Sequence, residues 1–198
     1  MPEKITGDEN LFKELGSLQE KVLFFLAENS ENHKQAIQQG TNHPADQYGS
    51  ISKAVDALDK SGFIRSKTAK SQKKVEIRLY SCTEEGILYS LAKNPSANIP
   101  KVLSACKDAE FCKQFSALYA VWGHDHFRMF LNDIGEFLPM IHNKGLEYAY
   151  PYLIMKMARQ LQSIDPKTRK KNVKAAIQQF PKAKDMVKEM QDNLKDLV

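Results

Sequence analysis

The chain has 198 residues, which is enough to bury a hydrophobic core in one large domain or in two small ones. Its formal net charge is only +5, and its three scattered cysteines are too few for a disulfide framework, which favours a reducing compartment. The polar N-terminus excludes a signal peptide and no apolar run is long enough to span a membrane, so we expect a soluble, cytoplasmic protein.

The first predicted helix lies between Leu11 and Asn29, where apolar residues recur at helical spacing. A second, short helix runs from Gln35 to Gly40 and ends at the glycine. Asn32 lies three residues before Gln35, which is the spacing of a capping box at the start of this helix. Two short-range signals thus predict two consecutive helices at the start of the chain.

The third predicted helix begins at Tyr48 and ends at Gly62, a residue that tolerates the left-handed conformation common at helix ends. Ile51, Val55 and Leu58 share one face of this helix, so we expect that face to be buried. The opposite face near the helix start is small, polar and cationic. Such a helix has one side for the core and one side for a partner.

A β-hairpin is predicted next, because Val75, Ile77 and Leu79 alternate with charged residues after a short basic segment. We expect these three side chains to form its packed face. Residues 51–80 hold eight lysines and arginines against three acids, a net charge of +5, whereas residues 1–50 have a net charge of −4. A cationic hairpin beside an exposed helix favours a phosphate-bearing partner.

The order helix, turn, helix, hairpin, helix is that of a winged helix-turn-helix. Over residues 17–93, the segments Ser50–Lys53, Leu58–Ile64 and Tyr80–Gly86 resemble the winged-helix core of MarR- and PadR-type transcription regulators. Cys82 stands where those families usually have leucine, and the turn before the third helix is longer here. The resemblance implies a winged helix-turn-helix in the N-terminal half and, by analogy only, a DNA target.

In such a protein the third helix lies in the major groove, and the hairpin, or wing, contacts phosphates or the minor groove. The candidate DNA contacts at the helix are Gln47, Tyr48, Ser50, Ser52 and Lys53. The candidates in the wing are Arg65, Lys67, Lys70, Lys73 and Lys74. Short hydroxyl side chains can face any base, so the sequence predicts no operator.

A domain boundary is predicted between Lys93 and Pro100, where two prolines with asparagine and serine interrupt any helix. We therefore expect a winged domain over residues 11–93 and an all-helical domain over residues 100–198. Dimerisation is one role for the second domain, because a regulator of this type must pair two recognition helices about one DNA turn apart. An apolar stripe in residues 181–198 suits that role, although such stripes more often complete an intramolecular core.

Other roles for the helical half remain open at this stage. Its aromatic residues could line an effector pocket, although ordinary packing is the more common reason for such residues. They are Phe111, Phe115, Tyr119, Trp122, Phe127, Phe130 and Tyr148. The basic segment Lys167–Lys174 could add a DNA contact or be a solvated face.

His124 and His126 with Cys106 and Cys112 supply metal-binding atoms, but the cysteine spacing is unlike that of a metal site, and we predict neither metal nor cofactor. No Gly-rich phosphate loop, nucleophile elbow or His-Glu-x-x-His pair is present, so we do not expect an enzyme.

The sequence predicts a mainly α-helical homodimer with a small β-hairpin wing, which binds double-stranded DNA and regulates transcription. Whether a small-molecule effector modulates it is an open question. The alternative is a winged-helix scaffold that binds other proteins and touches DNA weakly or not at all.

Overall fold

The computed structural model describes residues 14–71, 74–106 and 110–179, and the statements below concern these ranges. Residues 11–13 and 180–198, at the ends of the two predicted domains, and the candidate Lys73 lie outside them. The helices are α1 (Ser17–Asn29), α2 (Lys34–Gly40), α3 (Tyr48–Lys60), α4 (Glu84–Lys93), α5 (Ile99–Ala105), α6 (Glu110–Lys144), α7 (Leu146–Ser163) and α8 (Pro166–Gln179). The strands are β1 (Ile64–Lys70) and β2 (Glu76–Cys82), and a 3-10 turn at Ala45–Gln47 precedes α3. The described part is thus mainly helical with a small antiparallel hairpin.

The first half is built on the two apolar stripes that the periodicity predicts. Val22, Leu23 and Leu26 of α1 are at most 1% exposed, and the α3 stripe that includes Ile51 and Leu58 is fully buried. Burying each such side chain contributes roughly 1.5–3 kcal/mol, so α1 and α3 stabilise one another through this contact. The predicted buried face of α3 is confirmed.

The hairpin packs through the face opposite to the one expected. Ile64 pairs with Cys82 and Lys70 with Glu76, and residues directly opposite in an antiparallel pair project from the same face. Ile64 and Tyr80 on one face are each 2% exposed, whereas Val75 at the turn is 60% exposed. The prediction that Val75, Ile77 and Leu79 form the packed face is therefore wrong, since Ile77 and Leu79 are only half-buried.

A short bridge that the sequence did not predict joins β2 to the loop before α2. Asn32, in that loop, pairs with Tyr80 through two backbone hydrogen bonds of 3.0 and 2.9 Å between N–H and carbonyl groups. The bridge places β2 beside the start of α2. The Tyr80 ring is 2% exposed and lies 5.7 Å from the Lys34 ammonium of α2, so its face of the hairpin is the packed one.

The two halves that the sequence separates at residues 93–100 share one hydrophobic core in the structure. Phe63, which follows α3, meets the ring of Tyr89 in α4 edge-on at 5.3 Å and stacks on His142 of α6 at 5.5 Å. His142 also contacts the carboxylate of Glu85. Helix α4 is thus packed between the N-terminal helices and α6.

The aromatic residues of α6 pack on one another across a sharp kink at Gly123, whose φ of 75° favours glycine. Trp122 and Phe130 meet edge-on at 5.0 Å, and Phe115 and Phe127 at 5.8 Å. Phe127 is fully buried. These rings form core, whereas Tyr148 of α7, grouped with them in the sequence analysis, is 58% exposed.

Cys106 and Cys112 form a disulfide that joins the end of α5 to the start of α6, with 6.1 Å between their Cα atoms. The two residues were expected on different faces of a helix, but they belong to the ends of two separate helices that meet here. This bond contradicts the expectation of unpaired cysteines in a reducing compartment, because disulfides are more typical of oxidising compartments. No described helix is both long and apolar enough to cross a bilayer.

Candidate nucleic-acid interface

The turn between α2 and α3 is longer than a minimal helix-turn-helix turn, but it is hydrogen-bonded along its length. The amide of Gln38, a residue only 6% exposed, donates to the carbonyl of Pro44 at 2.6 Å. The backbone N–H of His43 donates to the Gln38 carbonyl at 3.1 Å, and the Thr41 hydroxyl caps the Ile37 carbonyl at 2.8 Å. Helix α3 therefore leaves α2 in a fixed direction.

The start of α3 faces away from the core. Gln47, Ser50 and Lys53 are exposed, and Tyr48 is 43% exposed. A Cβ added at Gly49 would meet no atom within 4 Å, so the backbone itself is open to a partner here. Among the described residues, the side chains of Ser50 and Lys53 make no hydrogen bond or ion pair.

Ser52 differs from these neighbours because it belongs to an internal network. The Lys34 ammonium donates to Ser52 Oγ at 2.7 Å and to the Asp56 carboxylate at 2.6 Å, and it lies 5.7 Å from the centre of the Tyr80 ring. Burial disfavours the ammonium form, but attraction from Asp56, Tyr80 and Tyr48 outweighs it and raises the pKa of Lys34. The network therefore braces α2, α3 and β2 against one another, and Ser52 is not left free.

The hairpin has one face on the side of α3, which we term the α3-side face. Ser66 lies on it and donates to the Asp59 carboxylate at the end of α3 at 3.2 Å, and Tyr80 lies directly opposite Ser66. By strand alternation the same face continues toward the hairpin turn with Thr68 and Lys70. Arg78 pairs with Thr68 and Glu76 pairs with Lys70, so this face carries one acidic and two basic side chains.

The other face, termed the outer face, carries two of the predicted contacts. Lys67 forms a 2.6 Å ion pair with Glu31, which follows α1. Arg65 is exposed and lines a cleft with residues of α1 and α4. Lys74 lies at the hairpin turn, is exposed and has a φ of 59°. The structure therefore groups Lys70 with the face that adjoins α3, sets Arg65 and Lys67 apart on the outer face, and leaves Lys74 at the hairpin turn.

Arg78 and Thr68 are residues that the sequence analysis missed as candidates. Arg78 was counted among the basic residues, but which face it occupies depends on the pairing register of the two strands. That register follows from the hydrogen bonds at the hairpin turn, where Ser71 accepts from Val75 and Lys74. A correct turn assignment was therefore the signal that could have placed Arg78 beside Lys70.

No protein-family model, curated protein or solved structure matches this chain. The possible chemistry must follow from the geometry of the site. Within the described ranges, no group of three or more His, Cys, Asp or Glu side chains could hold a metal ion. What the surface offers is an exposed helix start, and a strand face that adjoins the end of the same helix and carries Lys70, Arg78 and Glu76.

Proposed function

We propose that the N-terminal half is a winged helix-turn-helix that binds double-stranded DNA, with α3 as the recognition helix and the hairpin as the wing. The observations that carry the proposal are that the start of α3 is exposed and that the hairpin face bearing Lys70 and Arg78 adjoins the end of α3 through the Ser66–Asp59 hydrogen bond. The element order supports it, as does the Asn32–Tyr80 bridge, which adds a third short strand segment to the wing. The resemblance to MarR- and PadR-type regulators, drawn from the sequence, agrees with this reading.

The mechanism divides the contacts by element. Helix α3 enters the major groove, where Tyr48, Ser50 and Lys53 reach base edges or nearby phosphates. Thr68, Lys70 and Arg78 of the wing contact phosphates, which positions the domain without reading sequence. The Lys34 network holds α2 and α3 at a fixed angle, so little ordering of this part is needed on binding.

The expected salt dependence follows from the exposed cations. Leaving aside the outer face of the wing, four of them lie at the α3 start, on the α3-side face or at the hairpin turn: Lys53, Lys70, Arg78 and Lys74. Each phosphate that a cation neutralises contributes about −0.9 to the slope of log K against log salt, so one protomer should show a slope of about −3 to −4. Fluorescence anisotropy on a labelled duplex at several salt concentrations measures this slope.

A matched pair of variants tests whether α3 faces DNA. Ser50 lies in the first turn of α3 and Ser17 in the first turn of α1, and both are exposed. A glutamate is tolerated at either position, because the helix dipole favours an anion at its N-terminus. Ser50→Glu should weaken duplex binding at least about tenfold through repulsion of phosphate, whereas Ser17→Glu should leave it unchanged. Equal affinities of the two folded variants would reject α3 as the DNA-facing helix.

The regulatory part of the proposal is a homodimer in the cytoplasm that occupies an operator. Two copies place their α3 helices about one DNA turn, roughly 34 Å, apart. A signal, including a small-molecule effector, acts by changing the spacing between the two helices. Light scattering on the purified chain gives the oligomeric mass, and a strictly monomeric species on and off DNA would reject this part.

One observation favours the second candidate function, a winged-helix scaffold that binds other proteins. Tyr148, Tyr152 and Met155 of α7 are spaced to share one helix face and are 58%, 46% and 44% exposed. Exposed apolar patches of this kind often mark protein contacts. Changing Lys70, Lys73 and Lys74 to alanine separates the candidates: a DNA regulator loses affinity and salt dependence, whereas a scaffold keeps its protein partner.

A further inference from the structure

Helix α8 has one strongly cationic side. The helix carries five lysines and arginines in 14 residues, and its sequence contains no acidic and no aromatic residue. Four of the lysines follow one another at steps of three, one and three residues, so they share one side of the helix over about 10 Å. They are Lys167, Lys170, Lys171 and Lys174, and all four are exposed. We term this side the lysine face.

The start of α8 and another of its sides are held by the rest of the chain. Helix α8 packs on α6, and Val173 is half-buried against the hydrophobic core. The carboxylate of Asp165 accepts from the backbone N–H groups of Lys167 and Thr168, each at 3.0 Å, and so caps the helix. The lysine face is therefore displayed by a helix that is fixed in place.

The arrangement of these lysines does not stabilise the fold. The first lysine lies four residues before the third, and the second lies four residues before the fourth, a spacing at which like charges on a helix repel one another. Lys167 also lies in the first turn of α8, where the helix dipole disfavours a cation. None of the four side chains forms a hydrogen bond or an ion pair with a residue in the described ranges. The repulsion is thus uncompensated there, and a polyanionic partner would relieve it.

The composition of the lysine face indicates which polyanion it fits. Protein interfaces are anchored by aromatic side chains and are depleted in lysine, and single-stranded nucleic acids stack their bases on aromatic rings. A helix that lies on a membrane needs a free apolar side, whereas Val173 of α8 is packed against the core. The phosphates of a duplex require only a row of cations. A duplex therefore fits this face best.

We propose that the lysine face of α8 is a second contact surface for the phosphate backbone of double-stranded DNA. The identity of the partner rests on the proposed function, but the residues are separate from α3 and from the wing. Phosphate contacts carry no sequence information, so this surface adds affinity for every duplex and selects no operator. The salt slope assigned to α3 and the wing counts none of these lysines, and each one that meets a phosphate makes the measured slope steeper by about 0.9.

Two double variants that remove the same charge test this surface. Lys170→Gln/Lys174→Gln alters the lysine face, whereas Lys21→Gln/Lys144→Gln alters two exposed lysines of α1 and α6. Fluorescence anisotropy of the full chain on a labelled random-sequence duplex, at several salt concentrations, gives the slope of log K against log salt. The first variant should make the slope shallower by about 1.5–2 units and the second by less than about 0.5. Equal slopes in the two variants would overturn the proposal and leave the lysine face as a solvated surface.

Thermal melts and a charge-preserving variant separate binding from folding. Glutamine removes like-charge repulsion, so Lys170→Gln/Lys174→Gln should melt at or above the wild-type temperature. A clearly lower melting temperature would show that these lysines stabilise the fold, which would overturn the argument. Lys170→Arg/Lys174→Arg keeps both charges and should keep the wild-type slope. A slope as shallow as that of the glutamine variant would likewise reject phosphate contact through charge.

Ser50→Glu distinguishes failure of this surface from failure of the proposed function. If Ser50→Glu weakens duplex binding while Lys170→Gln/Lys174→Gln leaves the slope unchanged, the lysine-face proposal fails and α3 remains the DNA-facing helix. If the glutamine variant flattens the slope while Ser50→Glu has no effect, the α3 assignment fails and the lysine face stands.

Poly-L-glutamate and phosphatidylserine vesicles represent the competing polyanions. Wild type and Lys170→Gln/Lys174→Gln should bind each of them alike in the same salt series. A dependence on this lysine pair as strong as that measured on the duplex would overturn the choice of DNA as the partner of the lysine face.

Discussion

Replacing Arg128 by alanine should destabilise the contact between the two halves of the chain. The guanidinium of Arg128, in α6, donates to the carbonyls of Leu91 at 3.0 Å, Asn94 at 3.1 Å and Ala97 at 3.2 Å. The Leu91 carbonyl lies at the end of α4, and its usual helical donor four residues later would be Pro95, which has no N–H. Arg128 thus supplies the missing donor and closes the loop after α4.

The magnitude follows from what the three carbonyls can do without Arg128. Leaving the Leu91 carbonyl unpaired costs about 1–3 kcal/mol, and the loss of charge-assisted bonds to the other two adds less, because water can reach this half-buried site. We expect Arg128→Ala to lower the free energy of unfolding by roughly 2–4 kcal/mol. Burial lowers the pKa of Arg128, partly offset by Tyr119, yet an arginine remains charged throughout the accessible pH range.

Urea unfolding followed by circular dichroism measures this loss as a lower midpoint at an unchanged slope. Arg128→Lys keeps the charge but cannot reach three carbonyls at once, so it should recover only part of the stability. Arg159, an exposed arginine of α7, is the control, and Arg159→Ala should change stability by less than about 0.5 kcal/mol. A loss in Arg128→Ala no larger than that of Arg159→Ala would show that water replaces the guanidinium and would refute the reasoning.

Three further changes have expected outcomes. Gly86→Ala would place a Cβ 2.0 Å from the Phe63 carbonyl oxygen, so thermal melts should show destabilisation of roughly 1–3 kcal/mol or more, and a wild-type melting temperature would contradict this packing. The pKa of Lys34 is raised, so its network contributes stability below the ordinary lysine pKa and loses it as pH rises through the raised value. The stability difference between wild type and Lys34→Met, measured by urea unfolding across alkaline pH, should therefore shrink with pH, and a constant difference would argue against the ion pair. Lys70→Ala should reduce the DNA salt slope by about one unit, while Lys67→Ala on the outer face should not, and equal slopes would reject the division of the hairpin into two faces.

Local features of the sequence predicted the early helices well, because they depend on neighbours within one or two turns. The third helix was expected to begin at Tyr48, and it spans Tyr48–Lys60. The capping box predicted at Asn32 is wrong, because His33 is the N-cap of α2 and its ring accepts from the Ala36 N–H at 3.2 Å. Helical periodicity is fixed by residues three and four positions apart, so it can be predicted without knowing the fold.

The packed face of the hairpin could not be predicted from neighbouring residues alone. Both of its faces carry alternating side chains, and the packed face is the one whose Ile64 and Tyr80 side chains join the core formed with the helices. The same kind of distant contact drew Ser52 into the Lys34 network and brought Arg65 to the cleft rather than beside α3. Alternation along a strand determines which residues share a face, but only the packing of segments far apart in the sequence determines which face meets the core and which is left to a partner.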